Sequence, residues 1–541
     1  MYTTTLLFGA ALLTLLYAFA TRRRVPRGYE TVPGPQGSLL FGHTSLLGAE
    51  PQAQLKAWAK DFGPLFKLRL GWEDWIFVNE PGAIREIFDK QSRVTSGRAP
   101  MPVLSDILSG GKRFLLQTYT PEWRKLRTIV HKLLTPKSSS TFKPSQEFET
   151  KQLLHDIYTS SKAGDQERFY MHVRRYTTSV IMTSIYGRRI PEWECEDVEE
   201  IYGLMKDFSD AARPGAYIAD VVPPLARLPT WMQWWRKSAL KAYERQASIW
   251  LKYWNQLRAQ IKIKTAPECF AKQFVEDVDQ RDDIDEVTAA FVAGTMIEAG
   301  SETTSSSVNS GFKYLAAYPE VQQKAHEEIS RVIGDGRSPT FDDEDNLPYI
   351  RAMVKEILRL RPVTNLGSPH YTTEDMTYQK YFIPKHTVVA ICQYAAHNDA
   401  RYPEPETFRP ERYLDHPLKA GAYAAHPDPY VRDHFTFGAG RRICPGMHLA
   451  ENSMFIVLAK ILWAFEIRPV VGPDGKEENV DVSDQAYEPG INTLPKPYRM
   501  RFLSRSPARE AKMLQEWKEA ESTGYYLGNV RVDAAGMVLS A

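Results

Sequence analysis

Apolar positions recur three and four residues apart along much of the chain, the spacing that turns one face of an α-helix toward a core. The pattern predicts helices over residues 146–160, 240–263, 285–318, 319–333 and 349–359, and an apolar helical run over 447–465. Alternation with period two is confined to short pieces, the best being 66–70 and 387–391. The expected fold class is α+β, mainly α with small β-sheets. No linker, like-charge tail or repeat interrupts the pattern between Gln52 and about Pro497, so one continuous domain is expected over residues 52–502. Residues 505–523 differ: their charge density predicts a solvated helix outside the core, within a charged extension over 503–541.

The N-terminus departs from this pattern. Residues 1–21 carry no charged side chain, and as a helix they would span about 30 Å, enough to cross a bilayer. Arg22, Arg23 and Arg24 end the run. Ala18-Phe19-Ala20 resembles a cleavage site, but a signal peptide carries its positive residues before the apolar stretch. Here they follow it, which favours a retained transmembrane anchor with the body in the cytosol. Val32-Pro33-Gly34-Pro35-Gln36-Gly37 then reads as a stiff hinge within a basic and Pro/Gly segment, 22–51; an ordinary loop fits the same residues.

Composition removes several classes. Hydrophobic residues at 43% and charged residues at 25% describe a chain that buries a large core, not a disordered or collagenous one. Sixty-eight basic residues against 66 acidic ones leave +2, too even for nucleic-acid binding as the main task. Four scattered cysteines (Cys195, Cys269, Cys392, Cys444) form no disulfide framework, and no Asn-x-Ser/Thr sequon occurs; both fit a reducing compartment.

The chemistry concentrates in Phe437-Gly438-Ala439-Gly440-Arg441-Arg442-Ile443-Cys444-Pro445-Gly446. A cysteine just before a helix meets unpaired N–H groups and the positive end of the helix dipole, which favour its thiolate as metal ligand or nucleophile. A phosphate-binding loop lacks the following Lys-Ser/Thr. A zinc site from Cys444, His448 and His434 lacks a second nearby cysteine. A buried, inert cysteine remains open on these residues alone.

The spacing Phe-x-x-Gly-x-Arg-x-Cys-x-Gly, met by Phe437, Gly440, Arg442, Cys444 and Gly446, resembles the haem-ligand loop of the cytochrome P-450 superfamily. Other segments match the same family in order. Glu356-Ile357-Leu358-Arg359, with Arg412 of Phe408-Arg409-Pro410-Glu411-Arg412-Tyr413, resembles its buried Glu-Arg-Arg network, a structural trio behind the haem. Glu356→Ala is therefore expected to lose folding or haem incorporation, read as haem bound per chain. Ala299-Gly300-Ser301-Glu302-Thr303-Thr304 resembles the oxygen-activation motif, with Glu where many relatives have Asp. The resemblance implies that Thr303 holds the reacting oxygen and that Glu302 relays protons through water. Trp123 and Arg127 match the Trp-x-x-x-Arg pattern that meets a haem propionate, with Arg442 nearby and His370 as a further candidate.

The resemblance implies a haem-thiolate monooxygenase of microsomal, fungal type with haem b as cofactor, anchored in the endoplasmic reticulum membrane. Electrons are expected from NADPH through a separate cytochrome P-450 reductase, with cytochrome b5 as a second donor, because the chain shows no flavin or dinucleotide motif. Arg124, Lys125, Lys132, Arg441 and Lys460 form the expected docking patch; a generally solvated surface fits them equally. Substrate walls are expected at 100–119, 208–222, 291–303, 363–369 and 490–494, mixed apolar and small polar, suiting a lipophilic small molecule of secondary metabolism. Two other classes stay open: a family member that rearranges, dehydrates or couples without inserting oxygen, and a haem-binding protein without turnover.

Overall fold

Each long periodic run becomes a helix whose ends are set by local chemistry. The structure is a computed structural model that describes residues 25–38, 42–48, 51–71, 73–213, 215–279, 283–364, 366–488, 490 and 492–539. Helix α1 (Pro121–Leu133) starts at a proline, with the Thr120 side chain accepting from the Trp123 N–H. Helices α2 (Lys143–Lys162), α3 (Phe169–Tyr186), α4 (Glu196–Ala211) and α5 (Arg236–Lys262) follow. Helix α6 (Glu286–Ala317) is capped by Asp285, which accepts from the Thr288 N–H, and runs about 48 Å through the molecule. Helices α7 (Pro319–Val332), α8 (Pro348–Leu360) and α9 (Met447–Ala464) complete the bundle. Helices α3, α5 and α9 pack on α6, whose residues 289–297 and 305–316 are buried all round. Each helix predicted between residues 146 and 465 is present within a few residues of its expected ends.

The sheets are small, as the short alternating pieces required. Strands β1 (Leu65–Leu70), β2 (Glu73–Val78), β3 (His370–Tyr371) and β4 (Val388–Ile391) form one sheet in the order β1-β2-β4-β3. Strands β2 and β4 run parallel, and the other two pairings are antiparallel. The two strands expected from alternation thus lie on either side of β2. Strands β5 (Phe465–Arg468) and β6 (Arg501–Ser504) form an antiparallel ladder after α9.

Two expectations need correction. Of the two readings of the Pro/Gly run, stiff hinge and ordinary loop, the loop fits better, since the run is tied to the body: the Lys67 N–H of β1 donates to Pro33 O at 2.7 Å, and the His43 ring lies 2.9 Å from Pro35 O. Just before it, Glu30 and Thr31 pair with Tyr381 and Phe382, so the folded body begins ahead of residue 52.

The charged extension is not solvated outside the core either. Its helix α10 (Pro507–Thr523) buries Arg509, Met513, Trp517 and Ala520, a stripe at four-, four- and three-residue spacing that the surrounding charges mask. Trp517 and Tyr525 both pack on Phe148 of α2, with ring centroids 5.5 and 4.9 Å away. Strands β7 (Tyr525–Leu527), β8 (Val530–Val532) and β9 (Val538–Leu539) close a three-stranded sheet beyond it.

Among the described residues no helix is long and apolar enough to cross a membrane. The expected anchor over 1–21 and Arg22, Arg23 and Arg24 lie outside the described residues.

Candidate active site

The cysteine loop is built by backbone contacts before any side chain acts. Gly440 has φ +64°, and a Cβ there would sit 2.0 Å from Phe88 O, so only glycine fits. Its N–H donates to Asp89 Oδ1 at 2.7 Å. The Cys444 N–H donates to Phe437 O at 2.8 Å, closing the loop just before α9. Burial raises the Cys444 thiol, while the Gly446 N–H and the Arg127 guanidinium work the other way. Arg127 also donates to Ile443 O, the carbonyl beside the cysteine.

Positive charge gathers around this loop. The Arg442 guanidinium lies 3.8 Å over the Trp123 ring and donates to Ser96 O at 3.0 Å and Gln117 O at 2.7 Å. Arg98, which the sequence reading missed, donates to Leu115 O, Ser368 O and Pro369 O. His370 Nδ1 lies 2.8 Å from Thr95 O. Residues 95–98 are held beside β3 by a bridge in which Gly97 and Tyr371 exchange N–H···O bonds of 3.1 and 3.0 Å.

Among the described residues Arg98, Arg127 and Arg442 pair with no carboxylate. Burial first, then Arg98 and Arg127, pull the Arg442 proton affinity down; burial, Arg98 and Arg442 hold His370 well below the usual imidazole range. The buried Trp123 Nε1 has no partner there either. A largely sheltered set of guanidiniums without carboxylate partners, beside the buried Trp123 N–H, suits a group with two negative charges. A haem, with its two propionates and an iron for the cysteine, fits this donor set.

On α6, the Thr303 hydroxyl donates back to Ala299 O at 2.6 Å, which loosens the ladder at that turn. Ala299 is exposed and Thr303 half-buried between stretches of α6 that are otherwise buried, so the helix is left uncovered at this turn. Glu302 is tied from two sides: Oε1 lies 3.5 Å from Arg174 Nη2, and Oε2 accepts from Asn492 Nδ2 at 2.9 Å. The Arg174 guanidinium also sits 4.4 Å from the Tyr202 ring. Neither Arg174 nor Asn492 was singled out from sequence, since each is remote from Glu302 along the chain.

Behind the loop the Glu-Arg-Arg trio is assembled and buried. Arg359 donates to both Glu356 oxygens at 2.7 and 2.8 Å, and Arg412 Nε donates to Glu356 Oε1 at 3.0 Å. The remaining guanidinium donors reach carbonyls of His397, Pro405, Pro403 and Glu404. This ties α8 to the segment that leads into the cysteine loop.

Other expectations fare differently. Among the described residues no three His, Cys, Asp or Glu side chains form a metal cluster, so the zinc reading has no support. Arg124, Lys125, Lys132 and Arg441 are exposed, but Lys460 is only 1% exposed and leaves the docking patch. Its ammonium donates to Ser338 Oγ at 2.5 Å, because its face of α9 is covered near α10.

Comparison with known proteins agrees with this geometry. The Cytochrome P450 family model matches residues 32–502. Cytochrome P450 monooxygenase pgmC of Aspergillus terreus is 42% identical over 95% of this chain and 94% of its own length. Cytochrome P450 monooxygenase verL of Clonostachys rogersoniana is 39% identical over 95% of this chain and 94% of its own length. Cytochrome P450 monooxygenase polD of Polytolypa hystricis is 35% identical, covering 95% of this chain and 97% of its own length.

Proposed function

The chain belongs to the cytochrome P450 family and is an oxidoreductase, and from that premise we propose a haem-thiolate monooxygenase that oxidises a lipophilic small molecule in fungal secondary metabolism. The observation that carries it is the set of carboxylate-free guanidiniums of Arg98, Arg127 and Arg442 around the loop that ends in Cys444.

Haem b, when bound, would activate dioxygen so that one atom enters the substrate and the other leaves as water, with two electrons from NADPH through a flavoprotein reductase. Cys444 would ligate its iron. Arg98, Arg127, Arg442 and the Trp123 N–H would hold its propionates, with His370 beside them and Phe437 in the loop. The chain's own part is then to orient and to move protons. Thr303 offers a hydroxyl at the open turn of α6, and Glu302 would carry protons toward it from the side of Arg174 and Asn492. Glu356, Arg359 and Arg412 would keep the cysteine loop in register. Arg124, Lys125, Lys132 and Arg441 would form the surface for the reductase, or for cytochrome b5 as a second donor.

Residues 1–21 would anchor the protein in the endoplasmic reticulum membrane, with the catalytic body in the cytosol. Support comes from Trp231 and Trp234, 82% and 71% exposed, beside exposed Arg227, Lys237 and Lys241; this mixture suits a membrane interface. In this reading the catalytic domain extends to residue 502, with the segment after it an integral brace.

The test joins the membrane-bound protein to a flavin reductase and NADPH, supplies a fungal metabolite extract under labelled dioxygen, and follows products by mass spectrometry. A product that gains one labelled oxygen, and is absent with Cys444→Ala, is expected. A Cys444-dependent product without label would replace oxygen insertion with rearrangement or coupling.

A further inference from the structure

Three of the five expected substrate walls meet at one buried ion pair. Arg113, in the loop before α1, and Glu298, on α6, pair with side chains only 2% and 9% exposed. The Arg113 guanidinium also lies 3.9 Å from the ring of Phe208 on α4. It donates to Gln246 Oε1 on α5 at 2.5 Å and to Ser109 Oγ at 3.3 Å. The Gln246 amide in turn donates to Leu108 O at 3.1 Å.

Within this cluster Glu298 Oε1 stands apart, a buried carboxylate oxygen without a partner among the described residues. Burying an ion pair costs desolvation that is recovered only when every lone pair and proton is used, so an unused acceptor calls for an outside donor. Glu298 immediately precedes the exposed Ala299 and lies five residues before Thr303, about 7.5 Å along the helix axis.

We infer that Glu298, positioned by Arg113, is a recognition site for a hydroxyl group on an otherwise apolar substrate. This inference rests on the monooxygenase reading above and adds the polar feature its substrate carries. A neutral donor is required because Arg113 already balances the carboxylate; a cationic amine would bring a second positive charge into a buried site. The hydroxyl would dock about 7.5 Å along α6 from Thr303, so oxidation would fall at a carbon well separated from it.

The test uses the haem-loaded full chain and two probes on one ring system, naphthol, which donates a hydrogen bond, and its methyl ether, which is one methyl group larger and cannot; binding is titrated by the change in the haem absorption spectrum. The intact protein is expected to bind naphthol about ten-fold more tightly than the ether. Glu298→Leu should bring that ratio to about one and leave the ether's affinity in place, while Glu298→Gln, which keeps a weaker acceptor, should fall between.

An unchanged ratio in Glu298→Leu, or an intact protein that prefers neither probe or binds neither, overturns the inference. Should Glu298→Leu not load haem, Glu298→Gln decides by the same ratio. The carbon monoxide spectrum of the reduced intact protein separates the two levels of the account. Without a thiolate-type band the monooxygenase reading itself fails; with it, the ratio speaks to Glu298 alone.

Discussion

The proposed proton relay rests on Glu302, whose one oxygen faces the Arg174 guanidinium while the other accepts from Asn492. Glu302→Gln preserves the size of the side chain and an acceptor for Asn492 but removes the titrating group. Turnover is expected to fall roughly 100-fold with haem content unchanged, and the solvent isotope effect on the rate to rise. Unchanged turnover would move the relay elsewhere. At this scale the sequence is legible where spacing is short: Phe437, Gly440, Arg442, Cys444 and Gly446 fall within ten positions. Arg98, Arg174 and Asn492 are not, because their partners at 368–369 and 302 are brought to them only by the fold.

Among the elements, α10 shows what periodicity conceals. Its buried face is four residues in a strongly charged segment, and one of them is an arginine, so a hydropathy reading sees a solvated helix. The structure instead uses Arg509 as a tie, donating to Asp335 Oδ1 at 2.6 Å and to Trp463 O at 3.0 Å, while Trp517 fills a gap against α2. Trp517→Ala should therefore cost about 3–5 kcal/mol of stability, read as a lower Tm, with the spectrum of the folded enzyme unchanged. A surface tryptophan would cost far less. The long helices were legible because their apolar stripes are continuous; the choice between hinge and loop for the Pro/Gly run was not, because its contacts lie on β1, some thirty residues away.

At the scale of the whole molecule, three histidines that are buried or half-buried contribute to the acid response. Burial pushes His172, His326 and His434 each down to about 4, from an ordinary value of 6.5. The unfolded chain therefore binds more protons at these three sites between about pH 6.5 and 4, and stability falls as the pH drops through that window. Glu451, pushed up to about 7 by burial, acts in the opposite sense between pH 4.5 and 7, and Glu73, Glu298 and Glu328, which burial also raises, act with it. The expected contribution of the three histidines is a fall in Tm as the pH drops below 6.5, measured across a buffer series. A Tm that is flat or rises over that range would mean that these side chains are solvated.

The same scale holds the central claim, that Cys444 supplies the thiolate of a haem held by Arg98, Arg127 and Arg442. The most direct measurement is the absorption spectrum of the reduced, carbon monoxide-treated protein, intact and as Cys444→His. The account predicts the long-wavelength thiolate-type band in the intact protein and its loss in the variant, with haem still bound through the guanidinium set. The same band in both proteins, or no haem in the intact chain, would contradict it.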